Sequence, residues 1–157
     1  MLPVRGVDPR PVGDTVAPGP ELEVLIGWNQ DEASAFGLDA RAVPEASRRV
    51  FIDPWLSWEP GHGATVSGYR LDWRPRGSRF GATHCLELAL LLGNQTTWQD
   101  SPMLGVEPWD RVDALGRELR SVWAGFAHTG RIEPAAVTDL PVQLAPDGDL
   151  TALAVTD

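Results

Sequence analysis

The sequence contains no lysine, a single cysteine and no long hydrophobic run. The one cysteine, Cys85, excludes an internal disulfide. No stretch approaches the roughly 20 consecutive apolar residues that a transmembrane helix requires. The first 13 residues also lack the apolar segment that a signal peptide carries. We therefore expect a cytoplasmic protein.

Positive charge is scarce as well. The 157 residues include 22 acidic and 13 basic side chains, which gives a formal net charge of −9. Such a chain repels nucleic acid and anionic membrane surfaces, so neither is an expected partner. The length is typical of one domain with one core. Residues 1–21 are rich in proline and glycine without a hydrophobic period and are predicted to form a flexible N-terminal arm, with the folded unit over residues 22–157.

Two segments have the patterns of β-strands. Residues 21–28 contain a short continuous apolar run closed by glycine, which is typical of a parallel strand buried on both faces. Residues 65–73 alternate in polarity and are followed by Pro75, which ends the strand. After a loop that carries His84, residues 86–92 are almost wholly apolar and predict a helix that is buried on all sides.

The remaining pattern is mostly helical. Pro44 is predicted to open a helix that breaks or restarts at Pro54. The clearest helix follows Asp110, which we expect to be its N-cap, and ends before Gly130, which suits a left-handed C′ position. Residues 142–155 are predicted to form a small hairpin with a turn at Asp147-Gly148. The fold class is therefore α/β, with few parallel strands, packed helices and a C-terminal hairpin.

Glu32 and His84 are the candidate catalytic pair. Each follows a predicted strand, where open parallel sheets keep their binding sites. A carboxylate on one ring nitrogen of a histidine fixes its tautomer and stabilises the imidazolium. The spacing alone leaves a second interpretation open, because any loop acid and loop histidine after two strands would look the same. Asp31 competes with Glu32 for the acid role; the resemblance given below favours Glu32, and Asp31 is then expected to hydrogen-bond local backbone.

Three segments resemble the type-B carboxylesterase and cholinesterase family. IGWNQDEASAF is similar to that family's acid-bearing segment, GYRLDWRP with GATHCLELALLLGN to its strand and histidine segment, and WAGFAHTGRIEP to the end of its late helix. The segments occur in the family's order and span roughly residues 23–134. The resemblance implies a C-terminal segment of an α/β-hydrolase fold and hydrolysis of carboxylic esters without a cofactor.

The resemblance also implies roles for individual residues. Glu32 falls on the family's triad acid, His84 on its triad base, and Glu87 on a glutamate in the following helix that supports the histidine. Ala33 and Cys85 depart from the pattern, since the family often has glycine at both positions.

The family's serine nucleophile is missing from this sequence. It lies in a G-x-S-x-G turn, with a glycine-rich oxyanion loop upstream, and no such motif occurs here. We therefore expect the chain to be inactive alone and to need a separate N-terminal hydrolase half, or to self-associate. A small ester would be the substrate of the completed site. The alternative is a non-catalytic remnant or interaction module that retains the hydrolase scaffold.

The other reactive side chains have simpler interpretations. Cys85 is predicted to be a buried, inert thiol. His62 lies in a Gly-His-Gly segment and is expected to be a surface residue, while His128 is expected in the last turn of a helix, where a cation complements the helix dipole. None of the three histidines has metal-ligand spacing, so no metal is predicted.

Overall fold

The fold is built on a three-stranded mixed sheet. The computed structural model describes residues 22–39, 41–56, 65–146 and 149–154. The strands are β1 Glu23–Asn29, β2 Thr65–Leu71 and β3 Val142–Ala145, with β2 in the centre. β1 and β2 are parallel, and β3 is antiparallel to β2. The mixed α/β class and the two parallel strands predicted from the sequence are confirmed. The predicted N-terminal arm, residues 1–21, lies outside the described residues.

The register of the parallel pair decides where the following residues emerge. Glu23 pairs with Thr65 at one end and Asn29 pairs with Leu71 at the other, so both strands end at the same level. An isolated parallel bridge between Asp31 and Thr83 extends this alignment beyond the strands. The segments that follow β1 and β2 therefore leave the sheet at one edge.

The described residues also form five α-helices, three 3₁₀ turns and one π-helical segment. The α-helices are α1 Val43–Ser47, α2 Asp53–Leu56, α3 Leu86–Leu91, α4 Gln95–Trp98 and α5 Trp109–Thr129. Three 3₁₀ turns occupy Glu32–Phe36, Pro134–Ala136 and Leu150–Ala154. No helix within the described ranges has the length and apolar character needed to cross a bilayer.

The predicted break at Pro54 takes the form of a widened turn. A π-helical segment, Arg48–Ile52, joins α1 to α2, and the backbone N–H of Asp53 donates to the carbonyl of Arg48. A proline inside a regular helix would clash with the carbonyl four residues before it. The wider π spacing shifts the carbonyls ahead of Pro54, and the chain stays helical through it.

The predicted C-terminal hairpin is wrong. β3 pairs with β2 instead of with the residues that follow it, and Leu150–Ala154 forms a 3₁₀ turn. The reason is packing against Gly68 on β2, because a Cβ there would lie 2.3 Å from Leu150 Cδ2 and 3.1 Å from Leu153 Cδ1. The missing side chain makes room for two leucines on the sheet. The predicted turn at residues 147–148 lies outside the described residues.

Apolar clusters cover both faces of the sheet. One joins β2 to α3 and α5, and the other lies on the opposite face. The first includes Tyr69, Leu71, Trp73, Leu86, Ala89, Leu90, Leu104, Val112, Leu115, Leu119 and Leu140. The second consists of Ile26, Trp28, Ile52, Val66, Ala145, Leu150 and Leu153. Burial on both faces accounts for the continuous apolar run in β1.

The apolar run after His84 is only partly buried. α3 buries Leu86, Ala89 and Leu90, whereas Leu92 is 76% exposed just beyond the helix end. The prediction of a helix buried all round is therefore wrong. α3 packs against α5 through its buried residues, and Leu92 lies past the last residue of the helix, outside that contact.

The long helix α5 follows its predicted course except at its start. Pro108 is the N-cap and Asp110 lies in the first turn, where a carboxylate still favours the helix dipole. Gly130 caps the other end at φ 71°, as predicted. An N-cap residue has extended backbone, and Pro108, with ψ 139°, meets this requirement.

Two glycines in α5 provide a matched test of how α5 packs on α3. A Cβ on Gly116 would lie 2.6 Å from the backbone oxygen of Leu90, whereas a Cβ on Gly125 meets nothing within 4 Å. We expect Gly116→Ala to lower the free energy of unfolding by about 1–3 kcal/mol. Gly125→Ala should raise it by about 0.5–1 kcal/mol, because alanine is the better helix former. Urea unfolding measures both, and equal effects would contradict the close contact.

Candidate functional site

The two candidate residues lie side by side where β1 and β2 end. Glu32 begins the 3₁₀ turn Glu32–Phe36, here called the acid turn, and His84 lies in the loop of residues 72–85, here called the histidine loop. His84 Nδ1 is 2.6 Å from Glu32 Oε2. The Glu32 side chain is 7% exposed and that of His84 is 41% exposed. The sheet register thus brings together two residues that are 52 positions apart.

Asp31 fixes the histidine loop to the end of β1. Its backbone N–H donates to the carbonyl of Ala82 at 2.8 Å, and its Oδ2 accepts the Ala82 N–H at 2.9 Å. Its Oδ1 accepts a hydrogen bond from Arg74 Nη2 at 2.9 Å. Gly81, at φ 66°, allows this approach, since a Cβ there would lie 2.4 Å from Asp31 Oδ2. The Asp31 carbonyl accepts the N–H of Ser34 in its own turn at 2.8 Å, whereas its side chain bonds the backbone of the distant histidine loop and not the local backbone that we predicted.

The environment of Glu32 favours a neutral carboxyl more than water does. Burial raises the pKa of Glu32, and the nearby charge of Glu87 adds to the rise. Hydrogen bonds from the backbone of Asn29 and from His84 act in the opposite direction on that pKa. The Asn29 N–H donates to Glu32 Oε1 at 2.8 Å, which leaves Oε2 for the histidine ring.

The pair has the geometry of an oriented base. When Nδ1 of His84 carries a proton, it donates to Glu32 Oε2, and Nε2 is then the basic nitrogen. The tautomer is inferred from this contact. The ring of Phe36, itself 60% exposed, lies 5.8 Å from the imidazole between centroids and flanks it on the acid-turn side. A partly exposed imidazole held by a buried carboxylate suits proton transfer to a group that approaches from outside.

Asn29 connects Glu32 to Glu87, the third predicted site residue. Glu87 lies in the first turn of α3, and Asn29 Nδ2 donates to its Oε2 at 2.5 Å. Asn29 itself is 1% exposed. Asn29 was not predicted from the sequence as a site residue. Its position as the last residue of a buried strand was the only signal, because buried amides need hydrogen-bond partners.

Two serine hydroxyl groups make hydrogen bonds that fix the acid turn. Ser47 Oγ accepts the N–H of Ala33 at 2.9 Å, and Ser34 Oγ donates to the carbonyl of Phe80 at 2.6 Å. Ser47 is buried and Ser34 is half-buried. Both are therefore structural, and the second ties the acid turn to the histidine loop at one more point.

Cys85 is half-buried, so the predicted burial of its thiol is wrong. It has φ 65° and ψ 7°, the left-handed region that glycine prefers. Desolvation raises the pKa of the Cys85 thiol, and the charges of Glu87 and Glu32 raise it further. The thiol form therefore dominates at neutral pH, and thiols are poor nucleophiles.

Cys85→Gly should relieve the left-handed backbone strain. A non-glycine residue in this region costs roughly 1–2 kcal/mol, partly offset by the greater freedom of glycine in the unfolded chain. We expect the free energy of unfolding to rise by up to about 1 kcal/mol. Cys85→Ala is the matched control and should give no gain, because alanine keeps the strain. Chemical denaturation of both variants checks this, and equal stabilities would contradict it.

No group of three or more metal-ligating side chains occurs in the part of the chain that the structure describes. His128 lies in the last turn of α5, where the sequence placed it, and is exposed. His62 lies outside the described residues.

Comparison with known proteins gives one informative relative. No protein-family model matches the chain, and no solved structure matches it. A protein of Rhodococcus erythropolis described as a probable N-octanoylanthranilate hydrolase, AqdA2, is 31% identical over an alignment of 167 positions. The chain resembles part of a hydrolase. The alignment covers 87% of the chain but 36% of that relative, so the chain spans little more than a third of the relative's length.

Proposed function

We propose that this chain is the acid- and histidine-bearing part of a serine hydrolase with an α/β-hydrolase fold, of the type-B carboxylesterase kind. The observation that carries the proposal is the 2.6 Å contact between His84 Nδ1 and Glu32 Oε2 where two adjacent parallel strands end. The likeness to a hydrolase over most of the chain supports it. In this family resemblance Glu32 is the triad acid and His84 is the triad base.

The chemistry needs a serine from outside these 157 residues. His84 Nε2 takes the proton of that serine as its oxygen adds to the carbonyl carbon of the substrate, while Glu32 stabilises the imidazolium. His84 then gives the proton to the leaving oxygen or nitrogen, and an acyl-enzyme forms. Water, deprotonated by the same nitrogen, releases the acid and restores the serine. The donors that stabilise the oxyanion belong to the same outside segment as the serine.

The open edge of β1 is the place where that segment would join. Within the described residues β1 pairs with β2 alone, so its second edge presents unpaired backbone groups. A parallel strand on this edge would continue the sheet. The outside segment is either a separate N-terminal half or a further part of one longer polypeptide.

The substrate class is a carboxylic ester or a related N-acyl arylamine. The family resemblance implies esters, and the name of the relative describes an N-acylated aromatic amine. Hydrolysis of an ester and of an N-acyl arylamine both pass through a tetrahedral intermediate, and the same histidine can protonate either leaving group. We therefore propose a small acyl compound of one of these two kinds as the substrate.

The test compares the chain alone with the chain joined to, or mixed with, the polypeptide that the adjacent coding region encodes. A chromogenic short-chain ester and N-octanoylanthranilate are the two substrates. We expect no turnover by the chain alone and turnover of at least one substrate by the completed protein. If a neighbouring segment with a G-x-S-x-G turn binds the chain and neither compound is hydrolysed, the non-catalytic interaction module becomes the better account.

A further inference from the structure

Asn29 is a buried amide between two carboxylates. Its backbone N–H donates to Glu32 Oε1 at 2.8 Å, and its side-chain Nδ2 donates to Glu87 Oε2 at 2.5 Å. Glu32 then uses its second oxygen for His84. Four residues therefore form one hydrogen-bonded series from α3 through β1 and the acid turn to the histidine loop.

This amide lies between the carboxylates of Glu32 and Glu87, two groups of like charge. The charge of Glu87 raises the pKa of Glu32, and carboxylates that lie close together tend to share a proton. Tyr69 and Cys85 add no charge here, since burial raises the pKa of Tyr69 to about 12 and that of the Cys85 thiol is raised too. The ionisable neighbour that lowers the pKa of Glu32 is His84. A shared proton would occupy an oxygen that His84 needs as an acceptor.

The orientation of the amide is consistent with a donor role. Asn29 Oδ1 is buried and has no hydrogen-bond partner among the described residues. Turning the amide would bring this oxygen against the Glu87 carboxylate, so that two acceptors would face each other. The observed orientation leaves one acceptor unsatisfied and keeps a donor on Glu87.

We propose that Asn29 is a positioning residue for the acid–histidine pair. Its two N–H groups hold Glu32 and Glu87 apart, so that Glu32 Oε2 remains the acceptor for Nδ1–H of His84. Its catalytic meaning rests on the proposed function, but its effect on the ring is a property of this chain alone. The side chain of Asn29 bonds Glu87, and its effect on the ring passes through Glu32.

The tautomer of His84 provides the measurement. The ¹⁵N shifts of the imidazole, recorded on the labelled chain where the ring is neutral, give the ratio of the Nδ1–H to the Nε2–H form. We expect the Nδ1–H form to dominate in the parent protein. In Asn29→Ala the ratio should fall by about tenfold, since Glu87 loses a charge-assisted hydrogen bond and is free to approach Glu32 and the ring.

Two further variants separate positioning from packing. Asn94→Ala is the control, because Asn94 caps α4 through Thr97 and its loss costs stability without touching the site; the ratio should stay unchanged. Asn29→Asp should lower the ratio, and adding Glu87→Gln should restore it to within about twofold, because the double variant makes the same hydrogen bond with donor and acceptor exchanged.

An unchanged ratio in Asn29→Ala, or a double variant no better than Asn29→Asp, would overturn the proposal. If Asn29→Ala does not fold, the comparison of Asn29→Asp with the double variant decides, because aspartate keeps the shape of the asparagine side chain. These outcomes are independent of turnover. A completed protein without hydrolytic activity would remove the proposed function and leave the tautomer result standing, whereas an unchanged ratio would remove only the role of Asn29.

Discussion

Glu32→Gln should give a protein that is at least as stable as the parent at neutral pH and yet nearly inactive once the site is completed. Glutamine fills the same space, and its oxygen can accept the Asn29 N–H. Its amide nitrogen would face Nδ1 of His84 as a donor, which forces the ring into the Nε2–H form. That tautomer cannot take a proton from serine, and the expected loss in kcat is about 10⁴-fold.

The stability half of this prediction follows from the sign of the Glu32 pKa shift. The pKa of Glu32 is raised above its usual 4.5 in the folded protein, so the folded state binds the proton more tightly than the unfolded state. The parent therefore loses stability as pH rises from the unfolded value through the folded one. The glutamine side chain in Glu32→Gln does not titrate, so the variant does not lose stability in this pH range for that reason. Urea midpoints between about pH 4 and pH 8 measure it, and parallel pH curves for both proteins would contradict it.

His84→Ala should remove nearly all hydrolysis by the completed protein. The substitution deletes both the base and the proton donor for the leaving group, so kcat should fall on the order of 10⁵- to 10⁶-fold with little change in KM. The side chain is 41% exposed, and the fold should tolerate its loss. Steady-state kinetics on the chromogenic ester measures the effect.

The matched control for this variant is His128→Ala. His128 is an exposed histidine in the last turn of α5, remote in sequence from the acid turn, and its loss should leave kcat unchanged. Hydrolysis that survives His84→Ala at more than about a hundredth of the parent rate would exclude His84 as the base.

Much of the site could be predicted because it depends on local pattern. A continuous apolar run and an alternating segment indicated two parallel strands, and residues directly after parallel strands emerge at one edge. That rule made Glu32 and His84 a candidate pair, and the family resemblance implied the role of each. Gly130 was predictable for a similar reason, since a helix end needs one residue in the left-handed region.

The errors arose where partners distant in sequence decide the outcome. The pairing of β3 with β2 depends on space that Gly68 leaves for Leu150 and Leu153, and no local pattern records it. The exposure of Leu92 depends on how much of α3 is covered by α5. Asn29 was missed because its two carboxylate partners become neighbours only in the folded chain.

The two hydrogen bonds between Asp31 and Ala82 divide the histidine loop into two parts with different freedom. Downstream of Ala82 the path to His84 is only two residues long and is anchored to the sheet. Upstream, Arg74 contacts Asp31 and Phe80 contacts the acid turn, whereas residues 75–79 between them can change in length or composition without altering either contact. This stretch is therefore the natural place to insert or exchange residues when the selectivity of the completed protein is to be redesigned.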